Sequence, residues 1–235
     1  MDDPPVDRAQ VFGETPQAVE RIAPGFFADW IEAEHLARYR WAARWVEGKS
    51  VLDVACGTGY GSDVLRRAGA LRVVSVDLSA PALGFARRKY PGPLYVRADA
   101  LTLPFKGESF DVVNSLETIE HLPDPVRFLM NVRPLLRVGG SLVLSMPNRA
   151  QTDGLNPYHV HEMTLPELLA ILDQSDFDVV RRSGQHWRLG RRRGLWRVQG
   201  MGRLAWEIGR LSAVFGLPRG LGLDPLYWCL LAHAR

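Results

Sequence analysis

The chain has 235 residues, 46% of them apolar and 23% charged, which is enough to bury one α/β core with little left over. No run approaches the roughly 18 apolar residues of a membrane span, and two cysteines, Cys56 and Cys229, are too few for a disulfide framework and fit a reducing cytoplasm. The formal net charge of +3 is unevenly spread: from Arg181 to Arg219 ten arginines face one acid, Glu207, which leaves the rest of the chain near −6.

The first ten residues are polar with two prolines, and no secretory signal is read there. Apolar residues at helical spacing predict a helix over 30–46, closed by Gly48, so that residues 1–48 form an N-terminal helical segment. Beyond it, strands are predicted near 51–55, 72–77, 94–98, 111–116 and 141–145, alternating with helices near 61–69, 79–90 and 124–137. The last of these helices has Asp124 as cap and Pro125 at its first position, with Gly139-Gly140 as its stop. This alternation predicts a parallel sheet with right-handed crossovers and helices on both faces, in a single domain spanning 1–235. Past Asn148 come a polar loop, a helix over 164–173 behind Thr164, and strands at 177–182 and 226–233. Residues 183–225 exceed what a hairpin needs. They place Met201, Leu204, Ile208, Leu211 and Phe215 on one helical face, which predicts a basic helical insertion over the substrate side.

The stretch Val51–Ser62 joins a buried strand to a turn with Gly57, Gly59 and Gly61. A dinucleotide fingerprint would carry its third glycine at position 62, where this chain has Ser62. Asp53, four residues before Gly57, disfavours phosphate and favours a positively charged ligand. The stretch resembles the first motif of the class I S-adenosylmethionine-dependent methyltransferases, whose cofactor carries an ammonium and a sulfonium. The resemblance implies a Rossmann-like sheet of seven strands, the last antiparallel, and carries Ala55, Gly57 and Gly59 along as cofactor contacts. Asp77 ends the second strand, 20 residues beyond Gly57, where a carboxylate can accept from both ribose hydroxyls. Leu78 follows it on the cofactor side. By the same resemblance Asp99, at the end of the third strand, faces the adenine amino group, and the Ala100 N–H faces a ring nitrogen.

Ser115–Pro125 resembles the Glu-x-x-Glu-His-x-x-Asp-Pro segment of many small-molecule methyltransferases, including the ubiquinone-pathway O-methyltransferases. That implies Leu116 at the methionine end of the cofactor, Arg38 at its carboxylate, and Glu117 and His121 facing the acceptor. His121 has the intrinsic pKa of a general base for a hydroxyl. A divalent metal on Glu117, Glu120, His121 and His159 or His161 is a further expectation, since metal-dependent small-RNA 2′-O-methyltransferases resemble this spacing. Tyr158, His159 and His161 are read as the substrate loop.

The expected activity is methyl transfer to a hydroxyl, or else an amine, of a sugar, lipid-linked glycan or natural product. An RNA 2′-O-methyltransferase and a non-catalytic cofactor-binding or membrane-surface protein stand as alternatives. A base-flipping Asn-Pro-Pro-Tyr motif is absent, which argues against a nucleic-acid substrate. The arginine-rich segment would suit a phosphate- or carboxylate-bearing acceptor, or peripheral contact with an anionic membrane. The expected location is the cytoplasm.

Overall fold

A computed structural model describes residues 29–187 and 225–235. Helix α1 (Asp29–Ala42) runs through a short 3-10 turn into strand β1 (Ser50–Val54). There follow α2 (Tyr60–Arg67), β2 (Arg72–Asp77), α3 (Ala80–Lys89), β3 (Leu94–Arg97), β4 (Phe110–Leu116), α4 (Pro125–Val132), β5 (Leu136–Pro147), α5 (Leu165–Gln174), β6 (Phe177–Trp187) and β7 (Pro225–Ala234). The seven strands form one sheet in the order β3-β2-β1-β4-β5-β7-β6. The first five pair in parallel, and β7 runs antiparallel between β5 and β6. Strand order reverses between β1 and β4, so a crevice opens beyond their carboxyl ends.

The two faces of the sheet read off the pleat. Leu52, Val74, Val113 and Leu142 point to the face covered by Phe128 and Leu129 of α4 and Leu168 and Leu172 of α5. Their neighbours Val51, Val73, Val112 and Val143 point the other way, toward Tyr39 and Trp41 of α1 and Leu65 of α2. β1 is buried along its whole length, as a central strand between two layers of helices must be.

Local chemistry starts the helices where expected. The Ser79 hydroxyl accepts from Ala82 N, Asp124 accepts from Arg127 N at 2.9 Å, and Glu167 reaches back to Thr164 N at 2.8 Å in a capping box. The helix predicted over 124–137 is shorter than expected. Pro134 has no N–H to continue it, and the chain is already in β5 at Leu136. Gly139 and Gly140 are therefore inside a strand. Gly139 takes φ 74°, and the ladder slips there, from Phe110 beside Leu136 to Val112 beside Ser141.

The strands on either side of the predicted insertion are longer than expected: β6 extends to Trp187 and β7 begins at Pro225, and the two pair with each other. Residues 183–187 and 225 thus belong to the sheet. Met201, Leu204, Ile208, Leu211, Phe215 and the arginines from Arg188 to Arg219 lie outside the described residues, as does the segment before Asp29. No helix among the described residues is long and apolar enough to cross a membrane.

Candidate active site

A cavity of about 870 Å³ opens beyond the ends of β1, β2 and β4. One wall is the turn after β1. Ala55, Gly57 and Gly59 all take left-handed backbone, with φ of 57°, 55° and 81°. The three do different work. Ala55 and Gly57 line the cavity, and a Cβ on Gly57 would meet nothing within 4 Å. A Cβ on Gly59 would sit 2.6 Å from Ala86 Cβ and 2.8 Å from the Tyr95 hydroxyl, so this glycine lets the turn pack on α3.

The turn is held from two sides. Asp77 Oδ2 accepts from Gly57 N at 2.9 Å while its Oδ1 accepts from Ser79 N at 2.8 Å, tying the turn to the start of α3. Behind the turn, the Asp53 carboxylate is fully buried and accepts from Ser62 Oγ at 2.6 Å, Asn114 Nδ2 at 2.6 Å and the Tyr39 hydroxyl at 3.4 Å. Burial pushes its pKa up to about 6, against the pull of those three donors. Asp99, on the cavity wall, accepts from Leu101 N at 2.8 Å, and Ala100 and Leu78 lie beside it.

A second corner gathers around Arg38, which is 1% exposed. Its Nη1 donates to Gln185 Oε1 at 2.6 Å, and its guanidinium lies 4.6 Å over the ring of Tyr227. Gln185 in turn donates to the Glu34 carbonyl at 3.0 Å, fixing α1 against β6. Glu117 Oε1 is 3.7 Å from Arg38 Nε and accepts from Ser145 Oγ at 2.6 Å. The Arg38 Nε itself is buried with no hydrogen bond among the described residues.

The third wall is the turn Ile119–His121 and the loop that docks on it. The Glu120 carbonyl accepts from both Val160 N and His161 N at 2.9 Å. His161 Nε2 donates to the Pro123 carbonyl at 3.0 Å. His121 Nδ1 is 3.0 Å from the Tyr158 carbonyl, and since a carbonyl only accepts, that nitrogen carries a proton and the neutral ring keeps its lone pair on Nε2. Glu120, His121 and His159 each offer a ligand atom within 4.8 Å of the others.

A family model described as a methyltransferase domain matches residues 52–144, the stretch that builds the glycine turn, Asp77, Asp99 and the Glu120–His121 turn. A probable S-adenosylmethionine-dependent methyltransferase of Mycolicibacterium smegmatis is 32% identical over 171 residues, which is 70% of this chain and 66% of that protein. The chain belongs to the class I S-adenosylmethionine-dependent methyltransferases. A ubiquinone biosynthesis O-methyltransferase of Coxiella burnetii is 35% identical over 108 residues, 44% of this chain and 46% of that one. Among solved structures, an S-adenosylmethionine-dependent methyltransferase from Mesorhizobium loti shares the fold with a TM-score of 0.62 at 21% identity, covering 87% of this chain and 99% of that one. The chain spans between about half and two thirds of the length of these curated relatives.

The residues present fit the cofactor of this methyltransferase family. Gly57 leaves open space where a side chain would project, the Asp77 and Asp99 carboxylates are acceptors on the cavity wall, and a buried guanidinium N–H at Arg38 has no hydrogen-bond acceptor among the described residues. Of the positions expected from sequence, Arg38, Ala55, Gly57, Asp77, Leu78, Asp99, Ala100 and Leu116 line the cavity, together with Glu117, Glu120, His121 and His159. Asp53 and Gly59 do not line it and act as supports behind it. Neither Tyr158 nor His161 lines it; they contribute a carbonyl to His121 and a brace to Pro123.

Glu117 is drawn toward Arg38 and Ser145, and the cluster able to hold a metal comprises Glu120, His121 and His159 without it. Glu117 takes a left-handed φ of 49° at the end of β4, where its N–H and its carboxylate both bond to Ser145 of β5. Sequence reasoning passed over Gln185, Tyr227, Ser145, Asn156 and Glu162. Only Asn156 and Glu162 carried a local signal, each three residues from His159.

Proposed function

We propose that this methyltransferase moves a methyl group from S-adenosylmethionine to a hydroxyl of a small or medium acceptor, such as a sugar, a lipid-linked glycan or a natural product. When bound, the cofactor supplies an electrophilic methyl on a sulfonium with a neutral leaving group. Gly57, Asp77 and Asp99 hold its nucleoside end and Arg38 its carboxylate. Most of the rate then comes from alignment of the two reactants, a term worth roughly 7–11 kcal/mol in model systems.

The observation that carries a hydroxyl acceptor, and ranks an amine second, is the tautomer of His121. With Nδ1–H given to the Tyr158 carbonyl, its Nε2 lone pair is the group that takes the acceptor proton. The Coxiella burnetii relative is an O-methyltransferase, which agrees with that chemistry. A cytoplasmic location belongs to the same proposal. The test is a radiolabelled methyl-transfer screen over sugars, phenols, amines and RNA. Transfer to amines alone overturns the role of His121, and no transfer to any acceptor leaves a cofactor-binding protein.

One observation favours a second reading, a divalent metal that orients or acidifies the hydroxyl: the convergence of Glu120, His121 and His159. In that case chelator stops transfer and a divalent ion restores it, whereas full activity in excess chelator leaves His121 as the base.

A further inference from the structure

His159 is gripped at both ring nitrogens. Its Nδ1 is 2.6 Å from Glu162 Oε1, and its Nε2 is 2.9 Å from Asn156 Nδ2. The amide of Asn156 is oriented by Tyr158, whose N–H donates to Asn156 Oδ1 at 3.0 Å, so an NH2 group meets the ring. A carboxylate accepts and an amide NH2 donates. Both partners therefore select the same neutral tautomer, with the proton on Nδ1 and the lone pair on Nε2. Glu162 is itself fixed, since its other oxygen accepts the Thr152 hydroxyl. The pair is largely shielded, with side-chain exposures of 16% for His159 and 8% for Glu162.

Two imidazoles thus stand in one wall, their ring centres 5.0 Å apart and their planes at 69°, each with its Nδ1–H spent on a fixed acceptor. For His121 that acceptor is backbone. For His159 it is a side chain that does not itself line the cavity. The geometry points to Glu162 as a positioning residue of the acceptor site: acting through His159, it sets that ring's tautomer and its angle beside His121. This role rests on the reading of the wall as the acceptor side. Without the carboxylate, an imidazole favours Nε2–H, the Asn156 amide meets an N–H instead of a lone pair, and the ring leaves its place against His121.

The test uses the full chain labelled with 15N-histidine, its His159 signals assigned by their loss in His159→Asn. Long-range proton–nitrogen correlation spectra at mildly alkaline pH read the tautomer directly. Wild type is expected to show Nδ1–H at His159, Glu162→Met to show Nε2–H, and Glu162→Gln, whose amide oxygen still accepts, to keep the wild-type form. In steady-state kinetics Glu162→Met lowers kcat about 10-fold or more, Glu162→Gln recovers part of it, and affinity for S-adenosylhomocysteine stays put. Nε2–H at His159 in an active wild type overturns this inference alone. A changed tautomer with unchanged kcat and acceptor KM also overturns it, leaving Glu162 a loop support. A wild type that transfers methyl to no acceptor overturns the acceptor-site reading, and this role with it, even where the tautomer is as expected.

Discussion

The glycines of the first turn separate packing from ligand binding, and a pair of alanine substitutions reads the difference. Both positions carry left-handed backbone, φ 55° at Gly57 and 81° at Gly59, which costs an L-residue roughly 1–2 kcal/mol. At Gly57 nothing else is added, because an alanine Cβ meets nothing within 4 Å. At Gly59 the same Cβ would lie 2.6 Å from Ala86 and 2.8 Å from the Tyr95 hydroxyl, both on well-packed elements, and overpacking adds about 1–3 kcal/mol. The expected total for Gly59→Ala is roughly 2–5 kcal/mol, which at ~2–4 °C per kcal/mol lowers Tm on the order of 10 °C. Gly57→Ala should lower it by a few degrees only. Ligand binding reverses the ranking. S-adenosylhomocysteine at 100 times its Kd adds about 2.7 kcal/mol to wild type. Gly57→Ala should lose most of that gain because its methyl projects into the cavity, while the folded fraction of Gly59→Ala keeps it. Differential scanning fluorimetry with and without ligand, backed by calorimetric Kd values, gives both readings. An unchanged Kd in Gly57→Ala refutes the placement of the cofactor against this turn, and a wild-type Tm in Gly59→Ala refutes the packing argument.

Asp77→Ala removes acceptors from both Gly57 N and Ser79 N, at about 1.5–3 kcal/mol each, so it should lower Tm and abolish S-adenosylhomocysteine binding together; calorimetry showing unchanged affinity refutes the ribose assignment. Asp53, at about 6 in the fold and near 4 unfolded, binds more protons folded than unfolded across that interval. Its contribution to stability therefore falls as pH rises from about 4 to 6, by roughly 3 kcal/mol. Urea titrations should show Asp53→Asn gaining on wild type by that order over the interval, and a flat difference contradicts the burial argument. Glu117→Gln removes the carboxylate nearest the buried Arg38, a loss of about 3 kcal/mol or more. If Arg38 meets the cofactor carboxylate, S-adenosylhomocysteine should raise the Tm of this variant more than that of wild type, and equal shifts refute that contact.

The parts of the site legible in the sequence are those whose signal is local. Asp77 ends the β-branched run of β2 and Asp99 follows two residues after β3, and strand ends in a parallel sheet all open on the same crevice, so their places on the cavity wall followed from strand order. Asp53 had the same local signature and a different fate. Its partner Asn114 is 61 positions away, and only the pairing of β1 with β4 reveals that the carboxylate faces a buried amide instead of the ligand. Arg38 was expected at the cavity, but its fastening was not, because Gln185 is 147 positions distant and Tyr227 reaches it only through a strand inserted antiparallel between β5 and β6. Gly139-Gly140 read as a helix stop because paired glycines end helices and kink strands alike, and the earlier Pro134 had already decided the matter.

The sharpest divergence is between Glu117 and Glu120. They are three residues apart, of one type, and on helical spacing they would share a face. The structure puts the first in a left-handed conformation at the end of β4, so one carboxylate pairs with Arg38 and the other stands with His121 and His159. A backbone torsion at one residue thus divides a five-residue motif between two jobs. That torsion is held by tertiary contacts: the Glu117 N–H donates to Ser145, and the same serine's hydroxyl donates to its carboxylate. Ser145 lies on β5, and the reach of β5 alongside β4 is what makes the division possible. Motif spacing can name the residues of such a site; which side of the cavity each one serves is decided by the neighbouring strand.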